Sequence, residues 1–496
     1  GGTHRGCLMW IPLAWLLLLA TPEQQIRQAV RAGSGLVQLP AGVIDISSEI
    51  ELPPNAHDLE IRGAESGSTL RAGDRFYGRA IFSARASRNV RFSNFSVDGN
   101  REHLARPAGL PPSDVSFARF TVSNGLLLEN VEGLAVAKIQ FRNVAGFAIL
   151  ASHATKVRIE DVSVQDSGSQ NAAKRNNSTG GILLEEGTTD FEVLRCDLNG
   201  IRGNGIWTHS LYTSPRNSQG RIAGNHLATI GRDAIQVGHA TRIVVEENEG
   251  GQIGYPLEEV DMEHRAIPVA LDTAGNTEQS HYVRNHFEEI NGKCIDLDGF
   301  HDGEIRGNTC RNSQPPEAYR FGGYAIVMNN SNPDMQSRHV RIEDNVIDGS
   351  LFGGIFIIGE GNTVAHNRLL RLNLAHCNEE AARFGCYFGK GEPDLLRSGI
   401  YLGRGAERPD LARGNVVEDN EISGYKMSTR CIAVAPGVSL SGNTVRRNDC
   451  SDEAAVVANA TPNIQDATRE MARTSFRNGM LSKLSNIRNS PSRQLE

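Results

Sequence analysis

A small residue, an isoleucine, any residue and an apolar residue recur in that order through the middle of the chain. The segments are GILL (181–184), GIWT (205–208), AIQV (234–237), AIPV (266–269), CIDL (294–297), AIVM (325–328), GIFI (354–357), GIYL (399–402) and CIAV (431–434). By subtraction, their isoleucines stand 24–32 residues apart, except for 45 between Ile355 and Ile400. From the second segment onward an Ile/Val-x-x-Asn-x-apolar element follows each, with its asparagine at Asn225, Asn248, Asn285, Asn308, Asn345, Asn367, Asn420 and Asn443. A fixed period of this length marks a repeat architecture, and the alternation within each segment marks strands.

Period-2 alternation turns each isoleucine and the apolar residue two places later to one face, into a common core. Asparagine suits a sharp corner, where it adopts left-handed backbone and bonds main-chain groups. Stacked in successive coils, such asparagines would satisfy one another. The pattern predicts an all-β chain, a single-stranded right-handed parallel β-helix. Fainter coils precede it in 92–100, 126–144 and 156–168.

The ends read differently. In TPEQQIRQAV (21–30), Thr21 and Gln24 have capping-box spacing and Pro22 stands at the first helical position. This predicts a helix over 21–34 that plugs the open apolar end of the stack. Before it, His4 and Arg5 precede an apolar run from Cys7 to Ala20, which reads as a signal peptide over 1–20, with a lone membrane anchor as the alternative. The β-helix is assigned to 35–450 and a polar, basic tail to 451–496. A secreted or periplasmic location is expected, with no transmembrane partner.

Composition agrees. With 52 glycines and 6% aromatics among 496 residues, the chain suits tight turns and thin aliphatic layers. A net charge of −7 argues against nucleic acid as a partner. Seven cysteines remain beyond the leader. Cys294/Cys310, Cys377/Cys386 and Cys431/Cys450 fall into local pairs that are disulfide candidates in an exported chain, their connectivity left open, with Cys196 over.

Parity places candidate chemistry. With Ile295 and Leu297 inward, Asp296 and Asp298 face outward, about 6.5–7 Å apart on one strand. The same rule turns out Leu183 and Glu185, Trp207 and His209, Gln236, Pro268 and Ala270, Phe356 and Tyr401, while the leading corners add Asp233, Arg265 and Lys293. Acids beside aromatic platforms suit a saccharide groove, so Trp207, His209, Gln236, Arg265, Lys293 and Tyr401 are candidate substrate-binding residues. The densest segment, 294–310, gathers Asp296, Asp298, His301, Asp302 and Glu304. It suits an acid/base pair, a Ca2+ site using Asp302 and Glu304, or a turn held by its own side chains. Asp233 precedes its strand two coils from Asp296, about 9–10 Å at ~4.8 Å per coil. Carboxylates ~6.5–9.5 Å apart suit an inverting glycosidase. Asp233, Asp296, Asp298 and His301 are the catalytic candidates.

On these coils the chain resembles the pectate-lyase-like superfamily of β-helices, which includes polygalacturonases, polysaccharide lyases and mannuronan epimerases. The resemblance covers roughly 35–450 and implies action on a polysaccharide. Arg232-Asp233 matches the second acid of the polygalacturonase Asp-Asp pair, whereas the Asn-Thr-Asp, Gly-His-Gly and Arg-Ile-Lys motifs of that family are absent. Three functions follow as expectations: a glycoside hydrolase first, then a lyase or epimerase on a uronic-acid polymer, where Ca2+ or Arg265 and Lys293 would neutralise the carboxylate, then a non-catalytic glycan-binding β-helix.

Overall fold

A computed structural model describes residues 20–106, 109–261, 267–377, 386, 391–405 and 408–453. It contains 39 strands, all in parallel pairs, most of them pairing with the strand three places on. The chain thus winds as a right-handed parallel β-helix with three sheets running its length. The first sheet carries the isoleucine segments. Its rungs stack in register through Ile206, Ile235, Leu271, Ile295, Ile326, Ile355 and Ile400, each at most 1% exposed. Every such residue sits on its counterpart in the coil below, and burying one is worth roughly 1.5–3 kcal/mol.

The asparagines form the predicted ladder, with one change at its end. From Asn225 to Asn420, each rung donates both its backbone N–H and its Nδ2 to the Oδ1 of the next, at 2.8–3.1 Å. The last rung is Asn448. Asn443 belongs to a second ladder at another corner, Asn362–Asn415–Asn443. The left-handed backbone falls one residue earlier than expected, on Gly224, Glu247, Arg284, Gly307, Asp344, His366, Asp419 and Arg447. The corner therefore divides its labour. A residue turns the chain, and the buried asparagine behind it closes the hydrogen bonds.

One strand of the first sheet departs from the sequence reading. The segment AIPV contributes only its end, because the strand is Val269–Glu278 and its inward residues are Leu271 and Thr273, paired with Ile295 and Leu297. Pro268 has no N–H to give a ladder, so the strand begins after it. The outward pair in this coil is consequently Asp272 and Ala274, not Pro268 and Ala270.

At the N-terminal end, helix α1 (Pro22–Val30) has the capping box: Thr21 Oγ1 accepts from Gln24 N (3.3 Å) and Gln24 Oε1 accepts from Thr21 N (3.0 Å). Its Ile26 and Val30 are buried on the core. Cys294–Cys310, Cys377–Cys386 and Cys431–Cys450 are disulfides, and Cys196 is a buried thiol. The last strand, Asp449–Asp452, runs two residues past the expected boundary. Apart from Ala20, the leader lies outside the described residues, as do residues 454–496. Among the described residues no helix is long and apolar enough to cross a membrane.

Candidate active site

Register resolves the outward face of the first sheet into columns. One runs Leu127, Leu150, Leu183, Trp207, Gln236, Asp272, Asp296, Val327, Phe356, Tyr401. Beside it, three residues earlier in each coil, stand Asn204, Asp233, Val269, Lys293 and Tyr324. Two residues later stand His209, Gly238, Ala274, Asp298 and Asn329. The first column is apolar towards both ends and acidic at Asp272 and Asp296.

Asp233, Asp272 and Asp298 are each only 6–7% exposed. Burial pushes the Asp233 carboxyl up to about 7. The Asp296 charge adds to this, while Arg232, the Val269 N–H (3.1 Å to Oδ1) and Lys293 oppose it. Asp272 lies well above the usual carboxylate range, first through burial and then through the charges of Asp233, Asp296 and Asp298, with Lys293 offsetting part. Lys293 is ion-paired with Asp296. Burial disfavours its charge, but Asp296, Asp272 and Asp298 outweigh burial and hold the ammonium protonated. The cluster thus contains two carboxyls whose protons are held more tightly than usual beside one, Asp296, that is ion-paired with Lys293. Neighbouring carboxyls in unlike environments are how acid and base roles separate.

Gln236 accepts from Asn204 Nδ2, and Asn204 Oδ1 accepts from the Asp233 N–H (3.4 Å), so two amides brace the cluster's N-terminal side. On the other side Asp298 accepts from Ser331 N (2.9 Å) and Ser331 Oγ (2.6 Å). Asp298 therefore anchors the loop after Asn329, a positioning role.

The remaining predicted residues are dispersed. His301 is buried at the corner, Nδ1 on Asp302 Oδ2 (2.7 Å) and Nε2 on Asn276 Oδ1 (2.8 Å), so both ring nitrogens are engaged in holding the turn. Asp302 also meets His339 (2.8 Å), and Glu304 pairs with Arg306 (2.7 Å) and His281 (3.2 Å). These carboxylates are engaged by Arg and His side chains, and among the described residues they are not grouped as calcium ligands. Trp207 points outward as expected, yet it is covered by Phe117 (4.9 Å between ring centroids) and Phe147 and forms a separate apolar cluster with them. Tyr401 is 1% exposed and stacked on Phe356. Neither ring is an open sugar platform. Arg265 lies outside the described residues, and Val269 occupies the position that pairs with Lys293.

His209 sits beside Trp207, near Glu185 and Glu186. Burial, with His239 nearby, lowers it to about 4. Burial, then Glu186, raises Glu185 to about 7 against the hydrogen bonds it receives from Ala118, Phe117 and Ser152.

Asp272 is the residue that sequence reasoning missed. The signal was present: LDTAG (271–275) aligns with IDLDG (295–299) better than AIPV does.

No protein-family model and no curated protein matches the chain. Among solved structures it is similar to PfbA, a surface adhesin of Streptococcus pneumoniae, at 14% identity and a TM-score of 0.51, over 72% of this chain and 89% of that one. A mannuronic acid specific polysaccharide family 6 lyase from human gut microbiota aligns at 12% identity and a TM-score of 0.49, over 91% and 89%. The ORF18 protein of Geobacillus virus E2 aligns at 14% and 0.44, over 57% of this chain and 53% of that one, so the chain spans about half of it. The likeness at these identities is one of fold.

Proposed function

We propose that the chain is an exported carbohydrate-active enzyme, a glycoside hydrolase working at Asp233, Asp272, Asp296 and Lys293. The observation that carries this is the placing of two buried, proton-retaining carboxyls beside a lysine-paired one on a single sheet face. Asp272 is the general acid, since its carboxyl keeps its proton where an ordinary aspartate would not. Asp296, ion-paired with Lys293, is the partner carboxylate. They occupy adjacent coils of one column, about 4.8 Å apart at the backbone, close to the ~5–5.5 Å separation of retaining enzymes. Asp272 would protonate the leaving oxygen while Asp296 attacks or stabilises the anomeric carbon. Water then releases the sugar, with Asp272 as base.

The surroundings favour a glycan of low negative charge. The lysine of the cluster is already paired with Asp296, so it is not free to neutralise a uronate carboxylate. A lyase also needs a base, and Lys293 held as an ammonium is a poor one. Three disulfides fit an oxidising compartment, in keeping with export.

The test is a screen over neutral and acidic polysaccharides that reads new reducing ends and unsaturated uronate together. Reducing ends without unsaturation are expected, with retained anomeric configuration by NMR and a ~10²–10⁴-fold loss in Asp272→Asn. Inversion would move the chemistry to the Asp233/Asp296 pair, two coils apart. Unsaturated products would overturn the hydrolase reading, and binding without cleavage would make the chain a glycan binder.

A further inference from the structure

A second group of convergent side chains lies apart from the aspartate cluster, at the covered N-terminal end of the same face. Glu185 and His209 pair in register on adjacent coils, and Glu186 follows Glu185. One ligand atom from each of the three lies within 4.8 Å of the others. Glu185 and Glu186 are 0% and 2% exposed, and among the described residues neither is paired with Lys or Arg. The His209 Nδ1 is buried without a hydrogen-bond partner, and it faces Glu185 Oε2 and Glu186 Oε1, each at 4.0 Å.

That distance is too long for a hydrogen bond. It does leave room for an ion between the three atoms, which would sit about 2.3 Å from each and reach the ~2.0–2.2 Å of zinc–nitrogen and zinc–oxygen bonds by a small inward shift of the side chains. Two buried carboxyls side by side must also be neutralised, either by protons or by a bound cation. We propose that Glu185, Glu186 and His209 bind one divalent transition-metal ion of the Zn2+ or Mn2+ type. An imidazole with two carboxylates suits those ions, whereas Ca2+ needs six to eight oxygens.

The neighbours are placed as a supporting shell. Glu185 Oε2 accepts from Phe117 N (3.0 Å), its Oε1 accepts from Ala118 N (2.8 Å), and Glu186 Oε1 accepts from Leu211 N (2.9 Å). These bonds orient the carboxylates and leave lone pairs for an ion. The rings of Phe117 (5.4 Å) and Trp207 (5.2 Å) pack against the imidazole and fix its plane. The His209 side chain is 24% exposed, which gives an entry path and room for water ligands. Because Glu185 holds the N–H groups of Phe117 and Ala118, the ion would clamp the short helix Phe117–Phe120 onto the first sheet. The site is independent of the proposed hydrolase chemistry.

The test uses the chelator-treated full chain, titrated with Zn2+ and separately with Mn2+ by calorimetry, with Tm measured alongside. One ion per chain is expected, with a saturable rise in Tm, and both His209→Phe and Glu186→Gln should weaken binding at least tenfold. His209→Phe keeps a ring among the aromatics, and circular dichroism checks that each variant folds. Should a variant misfold, the visible spectrum of the Co2+-loaded wild type decides, since d–d bands of a nitrogen/oxygen site support the proposal and their absence refutes it. Absence of stoichiometric binding, or equal affinity in folded variants, would overturn it and leave the group as carboxyls neutralised by protons.

Discussion

Replacing Asp233 by asparagine should separate stability from function in a pH-dependent way. Its carboxyl ordinarily titrates at 3.8 and is driven to about 7 in the fold. A carboxyl whose folded pKa is raised contributes stability fully below the unfolded value, and that contribution is lost as pH rises through the folded one. The gap between 3.8 and about 7, at ~1.36 kcal/mol per pH unit, is about 4 kcal/mol. This is an upper bound, because Asp272 can hold the proton in its place. Asparagine keeps the acceptor for the Val269 N–H and never ionises. Urea midpoints of wild type and Asp233→Asn should therefore nearly coincide at about pH 4 and diverge at about pH 8, where the variant is stabler by roughly 2–4 kcal/mol. Its hydrolytic activity should fall at both. A stability difference that does not change with pH would refute the raised carboxyl. A variant that is less stable at about pH 8 would show that the ionised Asp233 is held favourably.

Two further outcomes follow from the ladder and the cross-links. Asn308→Ala removes the acceptor for Asn285 N and Nδ2 and the donor to Tyr282 O (2.8 Å). Asn285 Nδ2 keeps its bond to Val245 O, so two buried groups are left unpaired, and at ~1–3 kcal/mol each the cost is about 2–6 kcal/mol. The same change at the half-exposed terminal rung Asn448 should cost under about 1.5 kcal/mol, and thermal melts that rank the two equally would contradict a cooperative buried ladder. Replacing both Cys294 and Cys310 by alanine opens a cross-link across 16 residues, which should cost about 3 kcal/mol in denaturant titration. No change would mean that the coil is already closed by its ladder.

The sequence by itself determined the coil period, the direction of each side chain and the capped end, because these depend on local alternation and on residues within one turn of backbone. It paired the cysteines as candidates for the same reason: a coil returns its own residues to one corner. It misjudged the one coil of the first sheet whose alignment with its neighbours departs from the local pattern. AIPV carries the right letters, but the insertion before Val269 shifts the register, and only hydrogen bonding to the coils above and below selects Leu271. Asp272 enters the acidic column through that selection alone. Burial was likewise decided in three dimensions. Parity turned Trp207, His209 and Glu185 outward, but Phe117, some seventy residues or more earlier in the chain, folds over them. What sequence offered as an open saccharide platform became a closed apolar cluster beside a buried group of ligand atoms. A strand's pattern fixes which way a side chain points; what covers it is set by segments distant in sequence.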